Sequence, residues 1–288
     1  MSNGMLPMRK TQRFTLESIS NRPKEKVSHR IVINGIAGIG KTSLAAQFPS
    51  PVFIQSRGES GLQVLESAGI CSAPIMPFEH DGKTFYEAQS YEDVADALDW
   101  LASNDHPYKT LCIDVLNGVE KLIHESVCNS QFGGDWGDKG FSSFMRGYEV
   151  SLPKVKDLCI RLDRLRMNGM TIVLLCHTKV KNFKNPVGPD YDQYVPDMHE
   201  KTWNILYGWS DIVLFCNAEV EVKTDKSSDK KGKAISQTRV MYTEGSAAWH
   251  AKNRHNLPPE IEMGRSAQEC YANLVEAMKQ AKTQNQKG

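Results

Sequence analysis

Short runs of consecutive apolar residues alternate along the chain with longer segments whose apolar residues recur every three or four positions. A continuous apolar run bounded by polar residues is typical of a strand that is buried on both faces. Such runs predict strands at residues 30–34, 51–55, 110–114, 171–176 and 211–216. The spacing of three and four predicts helices at residues 43–48, 91–103, 116–128, 141–167, 200–207 and 266–282, with Pro153 breaking or kinking the fourth of them.

The pattern changes after residue 216. Residues 220–222, 239–242 and 248–251 alternate between apolar and polar side chains, as half-buried antiparallel strands do. Strands that alternate with helices predict an α/β fold, here a mostly parallel central sheet flanked by helices, with antiparallel strands at one edge. The lysine-rich residues 223–233 lie between two of the antiparallel strands and predict a long, mobile hairpin tip.

The length fits one large domain or two small ones, and the composition favours a soluble protein. The chain has 288 residues, of which 40% are hydrophobic, and a net charge of +1, so it can form a core but carries no global signal for nucleic acid. No apolar run approaches the roughly 20 residues that span a bilayer, and the start lacks a secretory pattern, so we expect no membrane partner. We divide the chain into an N-terminal arm at residues 1–28, a core at 29–265, and a C-terminal helix with a polar tail at 266–288.

The cysteines indicate a reducing compartment. Their number, 7, is odd, and no C-x-x-C pair occurs; Cys112, Cys176 and Cys216 lie within predicted strands, and Cys159 lies within a predicted helix. This usage predicts buried free thiols and a cytoplasmic location. No cysteine–histidine cluster has the spacing of a zinc site.

A phosphate-binding loop of the form G-x-x-x-x-G-K-T follows the first predicted strand and precedes the first predicted helix. Its glycines let the backbone wrap a phosphate, and successive backbone N–H groups then point at the anion. Lys41 would reach the β and γ phosphates of ATP, and the Thr42 hydroxyl would bind Mg²⁺. The residues predicted to bind the nucleotide are Gly35, Ile36, Ala37, Gly38, Ile39, Gly40, Lys41, Thr42 and Ser43.

Three further polar residues stand at or just beyond the ends of predicted strands. Asp114 ends the third strand, where a carboxylate can hold Mg²⁺ opposite Thr42, although an aspartate there is also a common helix cap. Glu59 follows the second strand and is our candidate for orienting the attacking water; a solvated loop glutamate is the alternative. His177 directly follows the fourth strand, where it can sense the γ phosphate; a hydrogen-bonded strand-end histidine is the alternative.

Lys252 and Arg254 follow the last predicted edge strand and lie two positions apart, on one face. Two cations on a rigid strand can reach into the phosphate site of a neighbouring subunit, where such cations accelerate hydrolysis. A solvated pair of charges is the alternative.

Residues 129–140 and 179–200 are long segments without a regular pattern, in which lysines are interleaved with aromatic residues. This composition suits single-stranded DNA, because cations contact its phosphates and aromatic rings stack on its bases. The same composition also suits flexible loops that do not bind DNA, which is the alternative. The residues that we assign to DNA are Lys139, Lys179, Lys181, Phe183 and Lys184.

These residues resemble the RecA-type core of the P-loop ATPases, and more narrowly the short phage RecA-like ATPases of single-strand annealing and recombination. The resemblance covers roughly residues 31–263 and rests on the phosphate loop and on six further segments, at residues 53–55, 59–62, 111–114, 176–181, 209–215 and 251–258. The chain departs from the family in two ways: Arg57 and Gly58 are extra residues before Glu59, and the chain carries no large accessory domain of the kind that full recombinases have.

The resemblance implies a RecA-like P-loop NTPase fold with ATP and Mg²⁺ as cofactors. Glu59 matches the water-activating glutamate of the family, and His177 matches the polar sensor that links the γ phosphate to the DNA-binding loops. Lys252 and Arg254 match the cation pair that such subunits insert into a neighbour's site. The paired DNA-binding loops of the family match the two long segments without regular pattern.

Together these features predict a Mg-ATP-dependent, DNA-stimulated ATPase that self-associates into a ring or filament and binds single-stranded DNA. Its role would be phage-type DNA recombination or single-strand annealing, in the host cytoplasm if it is phage-encoded, with a single-strand-binding protein as a candidate partner. Two alternatives stay open. One is a ring-forming DNA helicase or helicase loader, and the other is a non-hydrolysing, nucleotide-gated DNA-binding module.

Overall fold

The computed structural model describes residues 28–223 and 233–287. Residues 1–27 of the predicted N-terminal arm and residues 224–232 of the predicted hairpin tip lie outside the described residues. The division of the chain into arm, core and C-terminal helix stays a prediction.

The strands of the described residues differ in length and in burial. They are β1 (Arg30–Gly35), β2 (Pro51–Gln55), β3 (Phe78–His80), β4 (Lys83–Phe85), β5 (Thr110–Asp114), β6 (Thr171–Phe183), β7 (Tyr191–Pro196), β8 (Ile212–Lys223), β9 (Lys233–Tyr242), β10 (Lys252–Asn253) and β11 (Glu260–Glu262).

The main sheet has β1 at its centre, between β6 and β8, and these three strands run parallel. β5 pairs in parallel with β6 and with β2, which gives the order β8-β1-β6-β5-β2 across this part of the sheet. β9 pairs antiparallel with β8, and β11 pairs antiparallel with β9, so the other edge is antiparallel. This mixed sheet confirms the predicted fold class.

Helices cover both faces of the sheet, which explains why its parallel strands are apolar throughout. They are α1 (Lys41–Ala45), α2 (Gly61–Ser67), α3 (Tyr91–Ser103), α4 (Leu116–Phe132), α5 (Arg146–Met167), α6 (Glu200–Trp209) and α7 (Ala267–Lys287). Successive residues of one strand serve opposite faces. Val32 packs with α3 to α6, whereas Ile33 packs with α1, α2 and α7.

The fourth predicted strand is longer than expected. β6 continues past residue 176 to Phe183, and its second half pairs antiparallel with β7. Our description of residues 179–200 as a segment without regular structure is therefore wrong, and His177 lies within a strand rather than after one. Residues 179–183 are exposed, so this half of β6 has no buried face that a sequence pattern could reveal.

The helix predicted from residue 141 begins later, at Arg146, after a 3-10 turn at Ser143–Met145. Phe141 is 0% exposed and packs against residues of α4, so its apolar character reflects an anchor in the connection and not a helix face. The helix also continues through Pro153, so the predicted break does not occur. A proline removes one backbone hydrogen bond, and the packing of α5 against α3 and α4 outweighs that loss.

Two predictions at the antiparallel edge also differ from the structure. The strands predicted at residues 211–216 and 220–222 belong to one long strand, β8, which begins at Ile212. Residues 248–251 do not form a strand: Trp249 makes an isolated bridge to Tyr194, and its ring stacks on Phe215 at a centroid distance of 5.6 Å. The apolar residues of this segment fill space at the sheet edge without extending the ladder.

Candidate nucleotide-binding site

The phosphate loop joins the C-terminal end of β1 to α1. Gly38 and Gly40 have φ angles of +73° and +105°, a left-handed backbone that side chains other than glycine rarely adopt. Lys41 is 7% exposed, and its Nζ donates hydrogen bonds to the carbonyl oxygens of Gly35 and Ile36, both at 3.0 Å. The predicted lysine thus lies against the loop itself, and burial lowers its pKa.

Thr42 and Asp114, the two predicted metal ligands, lie side by side. Thr42 Oγ1 donates a hydrogen bond to Asp114 Oδ2 at 3.0 Å. Burial raises the pKa of the Asp114 carboxyl to about 6, and the hydrogen bond from Thr42 opposes that rise. A hydroxyl and a carboxylate are the oxygen ligands that Mg²⁺ prefers, so this donor pair fits the metal.

We expect Asp114→Asn to stabilise the nucleotide-free protein at neutral pH by about 2–3 kcal/mol. A carboxyl whose pKa rises from 3.8 to about 6 on folding binds more protons in the folded than in the unfolded state, so its contribution to stability falls as the pH rises through that window. The stabilising effect of the asparagine should be complete above the higher pKa and vanish below the lower one. The measurement is the free energy of urea unfolding across this pH range.

Asp96→Asn is the matched control, because Asp96 is an exposed aspartate on α3. It should change the free energy of unfolding by less than about 0.5 kcal/mol at every pH. A difference between wild type and Asp114→Asn that stays constant from acid to neutral pH would contradict the prediction.

Glu59 and His177 meet across the site, where Glu59 Oε1 lies 3.2 Å from His177 Nε2. The backbone N–H of His177 donates to Asn117 Oδ1 at 3.2 Å, which fixes this part of β6 to the start of α4. The negative charge of Glu59 favours the protonated form of both Lys41 and Asp114 and so contributes an upward shift to the pKa of each. The structure therefore brings these predicted residues into one site.

The two extra residues before Glu59 form a turn that points away from the site. Gly58 has a φ of +89°, and its N–H donates to Glu87 Oε2 at 2.8 Å. Arg57 forms an ion pair with Glu125 on α4. The chain accommodates the insertion in this turn, and Glu59 keeps its contact with His177.

Gln55 is a site residue that our sequence reasoning missed. It ends β2 directly opposite Asp114 in the β2–β5 register. Its side chain is buried, and neither Oε1 nor Nε2 has a hydrogen-bond partner among the described residues. Buried amides are normally hydrogen-bonded, so Gln55 offers an unused donor and acceptor beside the candidate metal ligand. Its sequence signal, a polar residue at the end of an apolar run, is shared by many strand ends.

Arg239 on β9 is a second residue that the sequence did not connect with the site. Its guanidinium donates to the carbonyl oxygens of Ile39 in the phosphate loop, at 3.3 Å, and of Gly264, at 2.7 Å. A cavity of about 620 Å³ lies here between the loop and β9, with Ala37 and Arg265 in its lining. The alternation that predicted this strand gave no sign that its arginine reaches the loop.

Lys252 and Arg254 lie away from their own phosphate loop. β10 pairs with the first residues of β8, at the N-terminal end of the parallel strands. In the β1–β8 register Ile31 stands opposite Ile212, so Gly35 lies four residues, or about 13 Å, further along the sheet. The structure does not bring the cation pair into the site of the same chain.

The two cations differ in how they are held. Arg254 forms an ion pair with Asp211 at 3.5 Å, donates to the Gly208 carbonyl at 2.9 Å, and keeps 50% of its side chain exposed. Lys252 donates from Nζ to the Tyr207 carbonyl and lies 4.6 Å from the centre of the Tyr207 ring. Burial lowers the pKa of Lys252 to about 8. Arg254 is therefore the more available of the two charges.

The residues assigned to DNA lie on two surface segments. One holds Lys139, exposed in the turn after α4, and the other is the β6–β7 hairpin with Lys179, Lys181, Phe183 and Lys184. Lys179 pairs with Asp197 at 2.9 Å, and Lys184 pairs with Asp190. Among the described residues Lys181 has no ion-pair partner, so it is the hairpin lysine whose charge is free.

Comparison with known proteins settles the family. Residues 28–255 match the family model AAA_24, described as an AAA domain. The chain belongs to this AAA family. The match covers the phosphate loop, Asp114, Glu59 and His177, and it supports nucleotide binding and NTP hydrolysis in general as properties of this AAA domain.

Two other comparisons add less about the AAA domain. A comparison with curated proteins gives no match. The crystal structure of the flagellar accessory protein FlaH from Methanocaldococcus jannaschii aligns with 82% of this chain and 85% of that chain, at 11% sequence identity and a TM-score of 0.38.

Within residues 28–223 and 233–287, no helix has the length and apolar character to cross a bilayer.

Proposed function

We propose that this AAA domain is a Mg²⁺- and ATP-dependent RecA-like ATPase that self-associates, binds single-stranded DNA and acts in phage-type recombination or single-strand annealing. The observation that carries the proposal is the course of β6. His177, which contacts Glu59, belongs to the same strand as Lys179, Lys181 and Phe183. A change at the nucleotide therefore acts on a residue that is continuous with the candidate DNA surface.

The residues of the site divide the chemistry among them. Mg²⁺ bound with ATP would supply positive charge to the phosphates and make the γ phosphorus more electrophilic. Thr42 and Asp114 would hold the metal, and Lys41 would bind the β and γ phosphates. Glu59 would orient the attacking water and accept its proton. His177 would respond to the γ phosphate through its contact with Glu59.

We assign the ribose and base of the nucleotide to the cavity beside Arg239. Its volume of about 620 Å³ lies directly against the phosphate loop, on the side of β9. A ribose and base extending from a phosphate in the loop would occupy it, between the loop backbone and Arg265. The guanidinium of Arg239 already donates a hydrogen bond to the loop, so a change in the loop's conformation would alter this hydrogen bond.

The position of Arg254 supports assembly. A half-exposed arginine at the far end of the sheet serves no purpose for its own phosphate loop, but it can reach the loop of a subunit stacked against that end. A cation supplied in trans in this way increases the turnover rate by several orders of magnitude. ATP bound between subunits would then hold the assembly together, and hydrolysis would release it. A single-strand-binding protein is the partner that we propose for this assembly on DNA.

The test is phosphate release from ATP with and without single-stranded DNA. We expect DNA to increase the rate, because DNA held by the hairpin would fix β6 and with it His177. Tight ATP binding without phosphate release would overturn the hydrolytic function in favour of a nucleotide-gated binding module. Closed rings with translocation, seen by electron microscopy, would favour a helicase over filaments or strand annealing.

A further inference from the structure

The connection between α4 and α5 carries two apolar side chains that face solvent. Phe144 is 101% exposed and Met145 is 54% exposed. We call this pair the knuckle. The sequence pattern placed both residues inside a helix, whereas they lie in the 3-10 turn before Arg146. Two adjacent exposed apolar side chains form a small apolar patch, and such patches are candidates for binding sites.

The backbone of the knuckle is strained. Phe144 has φ +46° and ψ +33°, and Met145 has φ +60° and ψ +17°. Both angles lie in the left-handed region, which residues with large side chains seldom adopt, and here two such residues follow one another. Strained backbone persists where the surrounding structure imposes it, and it concentrates at ligand-binding positions.

The base of the knuckle is rigid. The Phe141 ring is buried and packs against Trp136 at a centroid distance of 4.8 Å. The Phe141 N–H donates to the Asp135 carbonyl and its own carbonyl accepts from the Gly147 N–H, both at 2.8 Å. A Cβ at Gly147 would lie 2.3 Å from the Phe141 ring, so the chain fits closely around this anchor. Phe144 is thus held outward by a fixed base, which lowers the entropy cost of binding.

Cations flank the knuckle. Lys139 and Arg146 are exposed on either side of it, and neither has an ion-pair partner among the described residues. Trp136 adds a second aromatic ring that is 45% exposed. The same segment also contains the exposed carboxylate of Asp138, so its charge is mixed rather than strongly basic.

The knuckle lies next to the hairpin that carries the candidate DNA residues. Tyr148, in the first turn of α5, stacks on His199 at a centroid distance of 4.6 Å and an interplanar angle of 6°. His199 lies three residues after the end of β7 and caps α6, and Glu149 pairs with Lys201 of that helix. The start of α5 is thereby fixed to the segment that follows the hairpin.

From these features we infer that Phe144 stacks on a base of single-stranded DNA while Lys139 and Arg146 contact its phosphates. The inference rests on the proposed function, because it assigns a new contact to the same DNA. Single strands expose the faces of their bases, and aromatic rings next to cations are the side chains that bind them. Duplex DNA hides these faces, so it offers Phe144 no equivalent partner.

The test compares two ligands of equal length, an oligothymidylate and an abasic strand with the same phosphates. Phe144→Ala should weaken binding of the oligothymidylate by about tenfold and leave binding of the abasic strand unchanged. Phe144→Trp should bind the oligothymidylate like wild type. Fluorescence anisotropy of labelled strands, in the presence of a non-hydrolysable ATP analogue, gives the dissociation constants.

Met167→Ala is the matched control, since Met167 is 85% exposed at the other end of α5 and should leave both affinities unchanged. If wild type binds the oligothymidylate and Phe144→Ala binds it equally well, the stacking inference fails and the proposed function stands. If wild type binds no single-stranded DNA, both fail. If Phe144→Ala changes only the assembly size in light scattering, the knuckle contacts a second copy of the chain and the stacking inference is overturned.

Discussion

Replacing Lys41 with alanine should abolish ATP turnover, with kcat falling by about 10²–10³-fold. The Lys41 ammonium already lies 3.0 Å from two carbonyl oxygens of the phosphate loop, so it needs little movement to meet a phosphate bound there. Its charge is the one that the β and γ phosphates would meet inside the loop. The measurement is steady-state phosphate release at saturating ATP.

Lys156→Ala is the matched control, because Lys156 is an exposed lysine on α5, away from the phosphate loop. It should leave turnover unchanged. Thermal unfolding of both variants separates a lost catalytic charge from a lost fold. Turnover by Lys41→Ala within about twofold of wild type would refute the assignment of the phosphate loop, because removal of a binding charge should cost far more than that.

Replacing Arg254 with alanine should lower turnover by about 10³-fold in the assembled protein. Arg254 lies at the opposite end of the sheet from its own phosphate loop, so its effect on hydrolysis must come through a neighbouring subunit. The substitution removes a half-exposed ion pair with Asp211, and Asp211 keeps its contact with Arg30 at 2.7 Å. The loss of stability should therefore stay below about 1 kcal/mol.

Mixing variants tests the in-trans role directly. Subunits with Lys41→Ala retain Arg254, and subunits with Arg254→Ala retain the phosphate loop, so a mixture of two inactive proteins should regain part of the turnover. Arg164→Ala is the control, because Arg164 is an exposed arginine that pairs with Asp99 at 3.6 Å. Full activity of Arg254→Ala alone, or no recovery in mixtures that light scattering shows to be assembled, would refute the role.

The central parallel sheet and the nucleotide site could be predicted because their signals are local. A buried parallel strand is apolar along its whole length, and the phosphate loop, Asp114 and Glu59 stand directly at the ends of such strands. The carboxyl ends of parallel strands meet at one edge of the sheet, so residues at these ends come together whatever the details of the connections. His177 obeys the same rule although it lies within β6, because it is the last residue of β6 that pairs with β1, opposite Gly35, and there it contacts Glu59.

The remaining features depend on contacts between distant parts of the chain. Arg239 reaches Ile39 across 200 positions of sequence, and the sequence gives no measure of that distance. The outer half of β6 is stabilised by its pairing with β7 rather than by burial, so its residues show no apolar alternation. Phe141 and Phe144 look alike in the sequence, yet one is buried and the other is fully exposed. Only the fold of the connection distinguishes them.

The outer half of β6 has a mechanical consequence. From His177 to Phe183 the strand extends six residues, or about 20 Å, and its hydrogen bonds to β7 stiffen it against bending. A paired strand of this length moves as one stiff unit, and one end of it, at His177, lies in the candidate nucleotide-binding site. A tilt too small to disturb the packed sheet at that end displaces the other end in proportion to the length of the strand. A tilt of the strand at His177 would therefore move Phe183 further than the residues near the phosphate loop.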